Sequence, residues 1–466
     1  MFRRLVQLIP GIAAFSKHLD FQPSRLEPCG KNQCKTILAW YLSKFAVSSK
    51  RRMEGKTVLA DTEGFKAIHT PELLRLSSVF TKHGYELRIV GGAVRDLLMG
   101  KLPKDIDLCT NATPEQMIKM FKDEEIRCIE TGLQHGTLTA HINKTDFEVT
   151  TLRIDVETDG RHATVKFTND WQLDAERRDL TFNAMSVDLT GNLYDYFNGE
   201  IDLSKGHVRF VGDARLRIKE DYLRILRYFR FYGKIATEPD NHDPDTLAVI
   251  KELAEGLRII SVERIWLEVS KILIGNHAQH LLQMLYDLGI ASNIGLPTYD
   301  ASCMTEFHRA WKESQIFSLQ PVTLLCCLVN TACEAEILAR HWKLSNAERN
   351  LGKFITEHRL PKEHETPLKP YQDMLVVSPS AQSKGTLRGH ITELLHYQGR
   401  HELGEAIACW IIPSFPVTGD HLKSIGLKPG PEFGRTLSQL KQMWKESYYV
   451  ATKEDLLEKA HHMIKR

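Results

Sequence analysis

Apolar residues recur along this chain with two different spacings. In "PELLRLSSVFTKHG" they fall every three or four residues, the period of a helix, and Gly84 stops the run. "YELRIV" reads as a strand that Gly91 and Gly92 break. "AVRDLLMG" reads as a short helix ending at Gly100, and "DIDLCT" as a second strand. "TPEQMIKMFKD" predicts a helix with Thr113 as N-cap ahead of Pro114. "GTLTAHI", "DFEVTTLRI" and "ATVKFT" alternate as strands do, with "DGRHA" between the last two as a turn or mobile loop. From about Glu220 strand signals almost vanish, and helices follow one another through Pro-bearing loops such as "GLPTYD" and "IIPSFPVTG". The pattern predicts an α+β chain: a small mixed sheet with helices in front, then an all-helical remainder. At 466 residues, two to four domains are expected.

Charge sharpens the picture locally. The net charge of +2 announces no nucleic-acid binder, but seven basic residues stand against two acids between Arg215 and Lys234. One basic region suffices to hold a phosphate backbone. The nine cysteines show no zinc spacing and read as free thiols in a reducing compartment. No apolar run approaches the roughly 20 residues of a membrane span. Residues 1–53 carry ten Lys or Arg against Asp20 and Glu27 only, and open "MFRRLVQLIPGIAAFSKHL". That fits a mitochondrial targeting segment better than a secretory signal; the alternative is a disordered basic tail. A start at Met53 gives a form without it.

Candidate chemistry begins with "DID". Residues two apart on a strand share a face, so Asp105 and Asp107 should converge, and Ile106 should point inward. Convergent carboxylates repel, and Mg²⁺ relieves this by taking one or two carboxylates together with phosphate oxygens. Taken alone, the pair reads equally as two solvated acids. Thirteen positions before Asp105 stands Gly92, in "GGAVRD". Gly91 and Gly92 let a backbone approach phosphates at a helix start, and Arg95 adds a charged fork. An anion cradle beside a metal pair suits a nucleoside triphosphate. Glu148 in "DFEVTTLR" is either a third carboxylate or a surface glutamate. "ERRDLTFNAM" offers Arg177, Arg178, Asp179 and Asn183, which need a polyanion or acid partners.

"EDYLRILRYFRF" places Asp221, Arg224, Arg227 and Arg230 three apart. Three helical residues advance about 300°, so the four should form one slowly turning stripe. A salt-bridged surface would produce the same pattern. The chemistry also fits a base reader. C and A carry an exocyclic amino group where U and G carry a carbonyl. Asp221 can accept from that amino group, and Arg224 can donate to the adjacent ring nitrogen. A carbonyl facing Asp221 would oppose two acceptors, which costs roughly 1–3 kcal/mol if buried.

In this order, "GGAVRD", "KDIDLCT", "FEVTTLR", "DGRHA", "RRDLTFNAM", "DYFNGEIDL", "EDYLRILRYFRF" and "SVERIWLEVSKIL" resemble the class II tRNA nucleotidyltransferases, the CCA-adding enzymes of bacteria and eukaryotes. The likeness covers roughly Tyr85 to Leu273 and is weaker beyond, and with the basic leader it is similar to the mitochondrial type. It implies a polymerase-β-type nucleotidyltransferase head (residues 60–205), a helical neck bearing the nucleotide-selecting helix (206–275), and a helical body and tail that bind tRNA (276–466). It implies template-independent addition of C, C and A to the tRNA 3′ end from CTP and ATP, with Mg²⁺ as cofactor. Asp105 and Asp107 then hold metal, with Glu148 as the third catalytic carboxylate. Gly91, Gly92 and Arg95 bind triphosphate, Arg178 the sugar, and Asp221 and Arg224 the base, with Arg227 and Arg230 alongside. "DGRHA" resembles the loop used in moving from C to A addition, although many relatives have arginine and proline where His162 and Ala163 stand. The rival readings are a poly(A) polymerase on the same fold and an inactive RNA-binding relative. No protein partner is evident.

Overall fold

The computed structural model describes residues 56–57, 59–158, 163–361, 364–378 and 380–464. The leader and most of the "DGRHA" loop, residues 159–162, lie outside the described residues. The front half runs β1 (Lys56–Thr57), α1 (Glu63–Ile68), α2 (Pro71–Lys82), β2 (Leu87–Val90), α3 (Gly92–Leu98), β3 (Leu108–Thr110) and α4 (Pro114–Asp123). It continues through β4 (Arg127–Gly132), β5 (Thr137–Ile142), β6 (Thr145–Thr151), β7 (Arg153–Thr158), β8 (Ala163–Phe167), α5 (Trp171–Glu176), β9 (Ser186–Asp188), β10 (Asn192–Tyr194) and α6 (Gly199–Ser204).

Eight of these strands form one mixed sheet in the order β1-β10-β9-β2-β3-β6-β5-β4. It is larger than the small sheet expected. The β3–β6 pair is its parallel one, with Leu108 opposite Val149. A parallel pair needs a long crossover, which α4, β4 and β5 provide. "DFEVTTLRI" is two strands rather than one. The chain leaves the large sheet after Thr151, and β7 pairs with β8 in a separate hairpin. Helices α2 and α4 bury Leu76, Phe80, Met117 and Phe121, with Phe80 and Phe121 edge to face at 5.8 Å. Thr113 caps α4 as the sequence predicts, in a reciprocal capping box with Gln116.

Among the described residues no strand follows Tyr194. The neck comprises α7 (Ala214–Glu220), α8 (Leu223–Ile235), α9 (Pro244–Leu253) and α10 (Val262–Leu273). Helix α8 is buried nearly all round. Nine of its thirteen residues are in the core, which leaves Arg224, Arg227, Arg230 and Lys234 outside it. Gly233 permits the next segment to approach, since a Cβ there would stand 2.8 Å from the Asn276 carbonyl oxygen. The remaining helices run to Lys453–Ile464. One hydrophobic core continues from the sheet to Ile407, while Val417, Leu422, Leu440, Trp444 and Leu456 belong to a second, small core in the tail. No single helix among the described residues is long and apolar enough to cross a membrane.

Candidate active site

A cleft of about 500 Å³ opens where the head meets α8 and α10. That volume falls in the usual range for small-molecule sites. Seven arginines and four aspartates line it, so its wall is rich in charged N–H donors, which suit an anion. Gly91, Gly92, Arg95, Asp107, Arg178, Asp221, Arg224, Arg227 and Arg230 all lie on its wall. Residues from four sequence motifs, up to 139 positions apart, thus meet in one place. Asp105 and Glu148 are not on that wall.

The glycine pair sits between β2 and α3. Gly91 has φ 67° and ψ −123°, a conformation that L side chains rarely adopt. A Cβ there would stand 3.1 Å from Arg178 Nη1. Position 91 therefore must be small for Arg178 to reach the cleft. Arg95, one turn into α3, donates from Nη1 to Asn183 Oδ1 (2.8 Å) and from Nε and Nη2 to Asp96 Oδ1. Arg178 donates to Asp174 Oδ2 at 3.2 Å. Burial would lower the Arg178 guanidinium, but Asp174 and its other anionic neighbours more than offset this and hold it above its ordinary value.

The carboxylate pair departs from expectation. Strand β3 begins at Leu108, so Asp105 and Asp107 precede it, Asp105 in a bend, and both are exposed. Asp107 is nonetheless in line with the sheet, because its carbonyl accepts from Val90 N at 3.0 Å. The parallel register sets Leu108 opposite Val149, and both are core residues. One step back, Asp107 is level with Glu148, and both are exposed. Burial raises the Asp107 carboxyl, Arg178 lowers it, and repulsion from Asp105 adds to the rise. A cation beside the pair would relieve that repulsion. Among the described residues no group of three His, Cys, Asp or Glu is assembled as a metal site. Two carboxylates completed by substrate phosphates is the arrangement Mg²⁺ accepts, so the donor set fits it.

Asp221 is not on the helix with the arginines. It ends α7 in extended backbone, φ −156°, and α8 starts two residues later. Its Oδ1 accepts from Leu223 N and its Oδ2 from Arg264 Nη2 at 2.7 Å. It makes no pair with Arg224. Arg224 Nη1 donates instead to Glu220 Oε2 (2.6 Å) and to the Arg217 carbonyl, and Nη2 to the Arg177 carbonyl. Those bonds use three of five N–H groups, which leaves two to donate into the cleft. Arg227 pairs with Asp179 at 2.6 Å, and Arg230 with Glu268 at 2.9 Å. Asp179 and Glu268 are 8% and 5% exposed, so these are fixed pairs rather than the solvated ladder of a surface helix. Burial raises the Asp179 carboxyl, but Arg227 and the surrounding donors reverse this and hold it below the ordinary aspartate value.

Sequence reasoning did not single out four contributors: Arg264, Glu268, Phe231 and Asp155. Phe231 carries the guanidinium carbons of Arg230, Arg95 and Arg227 at 4.5, 5.1 and 5.4 Å from its ring centroid. Arg264 and Glu268 are four apart on α10, within the quoted "SVERIWLEVSKIL", and that spacing on one helix face was the available signal. Asp155 shows its role only through the fold, where β7 turns out of the main sheet to the cleft.

Comparison with known proteins finds relatives along most of the chain. Residues 87–209 match the poly A polymerase head domain, and residues 242–301 match a probable RNA- and SrmB-binding site of polymerase A. The chain is 49% identical over 409 residues to "CCA tRNA nucleotidyltransferase 1, mitochondrial" of Danio rerio, covering 86% of this chain and 93% of that one. The Homo sapiens protein of the same name is 49% identical over 406 residues, covering 86% and 92%. The Bacillus stearothermophilus CCA-adding enzyme, crystallised in complex with CTP, superposes with a TM-score of 0.67 at 26% identity, over 87% of this chain and 99% of that one. Such identity along nearly the whole length of the relatives, on the same fold, establishes that this chain belongs to the CCA tRNA nucleotidyltransferases, the family of CCA-adding enzymes.

Proposed function

We infer that the chain adds C, C and A in turn to the 3′ end of tRNA, taking CTP and ATP and releasing pyrophosphate. The observation that carries this reading is the single cleft in which a glycine turn, an exposed aspartate, the Asp221 carboxylate and the Arg224 guanidinium converge. The tRNA 3′-hydroxyl oxygen bonds to the α-phosphorus as the bond to the β-phosphate bridge breaks, and the hydroxyl proton passes to solvent. Gly91, Gly92 and Arg95 hold the triphosphate, and Arg178 contacts the sugar. Asp105 and Asp107, with Glu148 alongside, would hold a divalent cation, Mg²⁺ by the hardness of its ligands, which when bound would lower the hydroxyl pKa and neutralise charge at the leaving phosphates. Asp221 and Arg224 present one acceptor and one donor edge to the base. The helical half holds the acceptor arm by shape and phosphate contacts, since every tRNA must be accepted.

The test is a tRNA transcript that stops before its CCA end, incubated with protein, Mg²⁺ and single nucleotides. Two additions with CTP alone, a third only once ATP is present, and then arrest are expected. A long ladder with ATP alone would instead identify a poly(A) polymerase. The basic leader directs the chain to the mitochondrion, and a chain begun at Met53 serves the cytoplasm and nucleus. Microscopy of tagged full-length and Met53-start chains tests this, and identical distributions would refute it.

A further inference from the structure

Asp96 closes the "GGAVRD" motif, yet no role in catalysis calls for it. It does not line the cleft, and neither does Lys234. The two residues are 138 positions apart and meet where α3 of the head abuts the last turn of α8. Lys234 Nζ donates to Asp96 Oδ1 at 2.9 Å and approaches Oδ2 at 3.4 Å. The same Oδ1 accepts from Arg95 Nε at 3.0 Å and Nη2 at 2.9 Å. One carboxylate oxygen thus fixes the guanidinium of Arg95 and the ammonium of a helix from another part of the fold.

Lys234 lies one turn beyond Arg230 on α8. Phe231, between them, carries the guanidinium of Arg95 from α3 on its ring. Three of Arg95's five N–H groups are engaged, two by Asp96 and one by Asn183, so its remaining donors are aimed by the pair behind it. Asp96 is 21% and Lys234 37% exposed in their side chains, so losing the contact should scarcely affect folding.

We propose that Asp96 and Lys234 are positioning residues that lock the triphosphate-binding Arg95 of the head to the base-reading helix of the neck, so that both ends of the nucleotide are held by one rigid unit. The proposal rests on the reading of Arg95 as a triphosphate ligand. Because the tie lies behind the phosphate end and not the base, its loss should affect both nucleotides equally.

Steady-state kinetics on Lys234→Met and Lys234→Arg, with tRNA ending before the first C or before the A, test it. Lys234→Met should raise KM about three- to tenfold for CTP and ATP alike, with kcat changed less than about twofold and UTP still rejected. Lys234→Arg should restore most of the loss. Lys234→Met added to Asp96→Asn should cost nothing further, because Asp96→Asn already removes the charge that Lys234 meets. An unchanged KM, unequal effects on the two nucleotides, or a loss that simply follows a lowered melting temperature would overturn the proposal. Wild-type protein that adds no C, C and A would instead defeat the functional reading on which it rests.

Discussion

Arg264 Nη2 donates to Asp221 Oδ2 at 2.7 Å, reaching from α10 to the break between α7 and α8. The contact turns a carboxylate in irregular backbone into a fixed acceptor. Each Asp221 oxygen then holds one protein donor and keeps acceptor capacity toward the cleft, where the proposed function puts the base. A reader of base edges needs this rigidity, because the penalty against a wrong base arises only if the acceptor cannot turn away from it.

Arg264→Met should therefore lower kcat/KM for both CTP and ATP about tenfold, near 1.4 kcal/mol, and narrow the gap between CTP and UTP. Competition assays with mixed nucleotides read this directly. A loss of rate with discrimination intact would assign Arg264 to binding rather than to aiming Asp221.

Asp105→Ala should abolish incorporation, by roughly a hundred- to a thousandfold or more, and leave the fold intact because the side chain is exposed. Thermal melts with and without Mg²⁺ provide the second readout. A Mg²⁺-dependent rise in Tm in the wild type, absent from the variant, is expected.

Gly91→Ala forces a Cβ into a φ of 67° and toward Arg178 Nη1 at 3.1 Å. The backbone strain alone is about 1–3 kcal/mol, and Arg178 must also shift. Nucleotide KM should rise about tenfold, measured by titration of CTP at saturating tRNA.

Acid should destabilise the fold in a definite window, through one pair between head and neck and one within the head. Burial raises the Asp179 and Asp174 carboxyls, but Arg227 beside the first and Arg178 and Arg177 beside the second bring both below the ordinary value near 3.9. A depressed folded-state pKa means stability that is complete above the unfolded value and lost as pH falls from about 4 through the folded one. Tm should decline across that window, and Asp179→Asn should flatten part of the decline while lowering Tm at neutral pH. An unchanged acid limb in the variant would remove Asp179 from the account.

The motifs made much of the cleft wall legible, because the glycines, Asp107 of "DID" and Asp221 and Arg224 of "EDYLR" do line it, while Asp105 and Glu148 do not. Two placements were not legible, for different reasons. Asp105 and Asp107 read as strand residues because apolar alternation continues into "LCT", whereas pairing with β2 and β6 begins only at Leu108. Asp221 reads as the first member of an arginine stripe because the three-residue spacing passes through it unbroken. The chain breaks there because its carboxylate is engaged by Leu223 N and Arg264, contacts that compete with helical continuation. The acids that fix Arg227 and Arg230 lie 48 and 38 positions away. No periodicity along α8 could supply them. The helical half was predicted as helices, but the separate tail core depends on residues from Val417 to Ala460 meeting in space.

The central claim is that side chains at the α7–α8 break take the place of a nucleic-acid template. Single-turnover incorporation of CTP and of UTP into tRNA ending before the first C, by wild type and by Asp221→Ala, tests it most directly. The account predicts strong preference for CTP in the wild type and its collapse by roughly 1–3 kcal/mol in the variant, chiefly through slower CTP use. Undiminished preference for CTP in Asp221→Ala would contradict it.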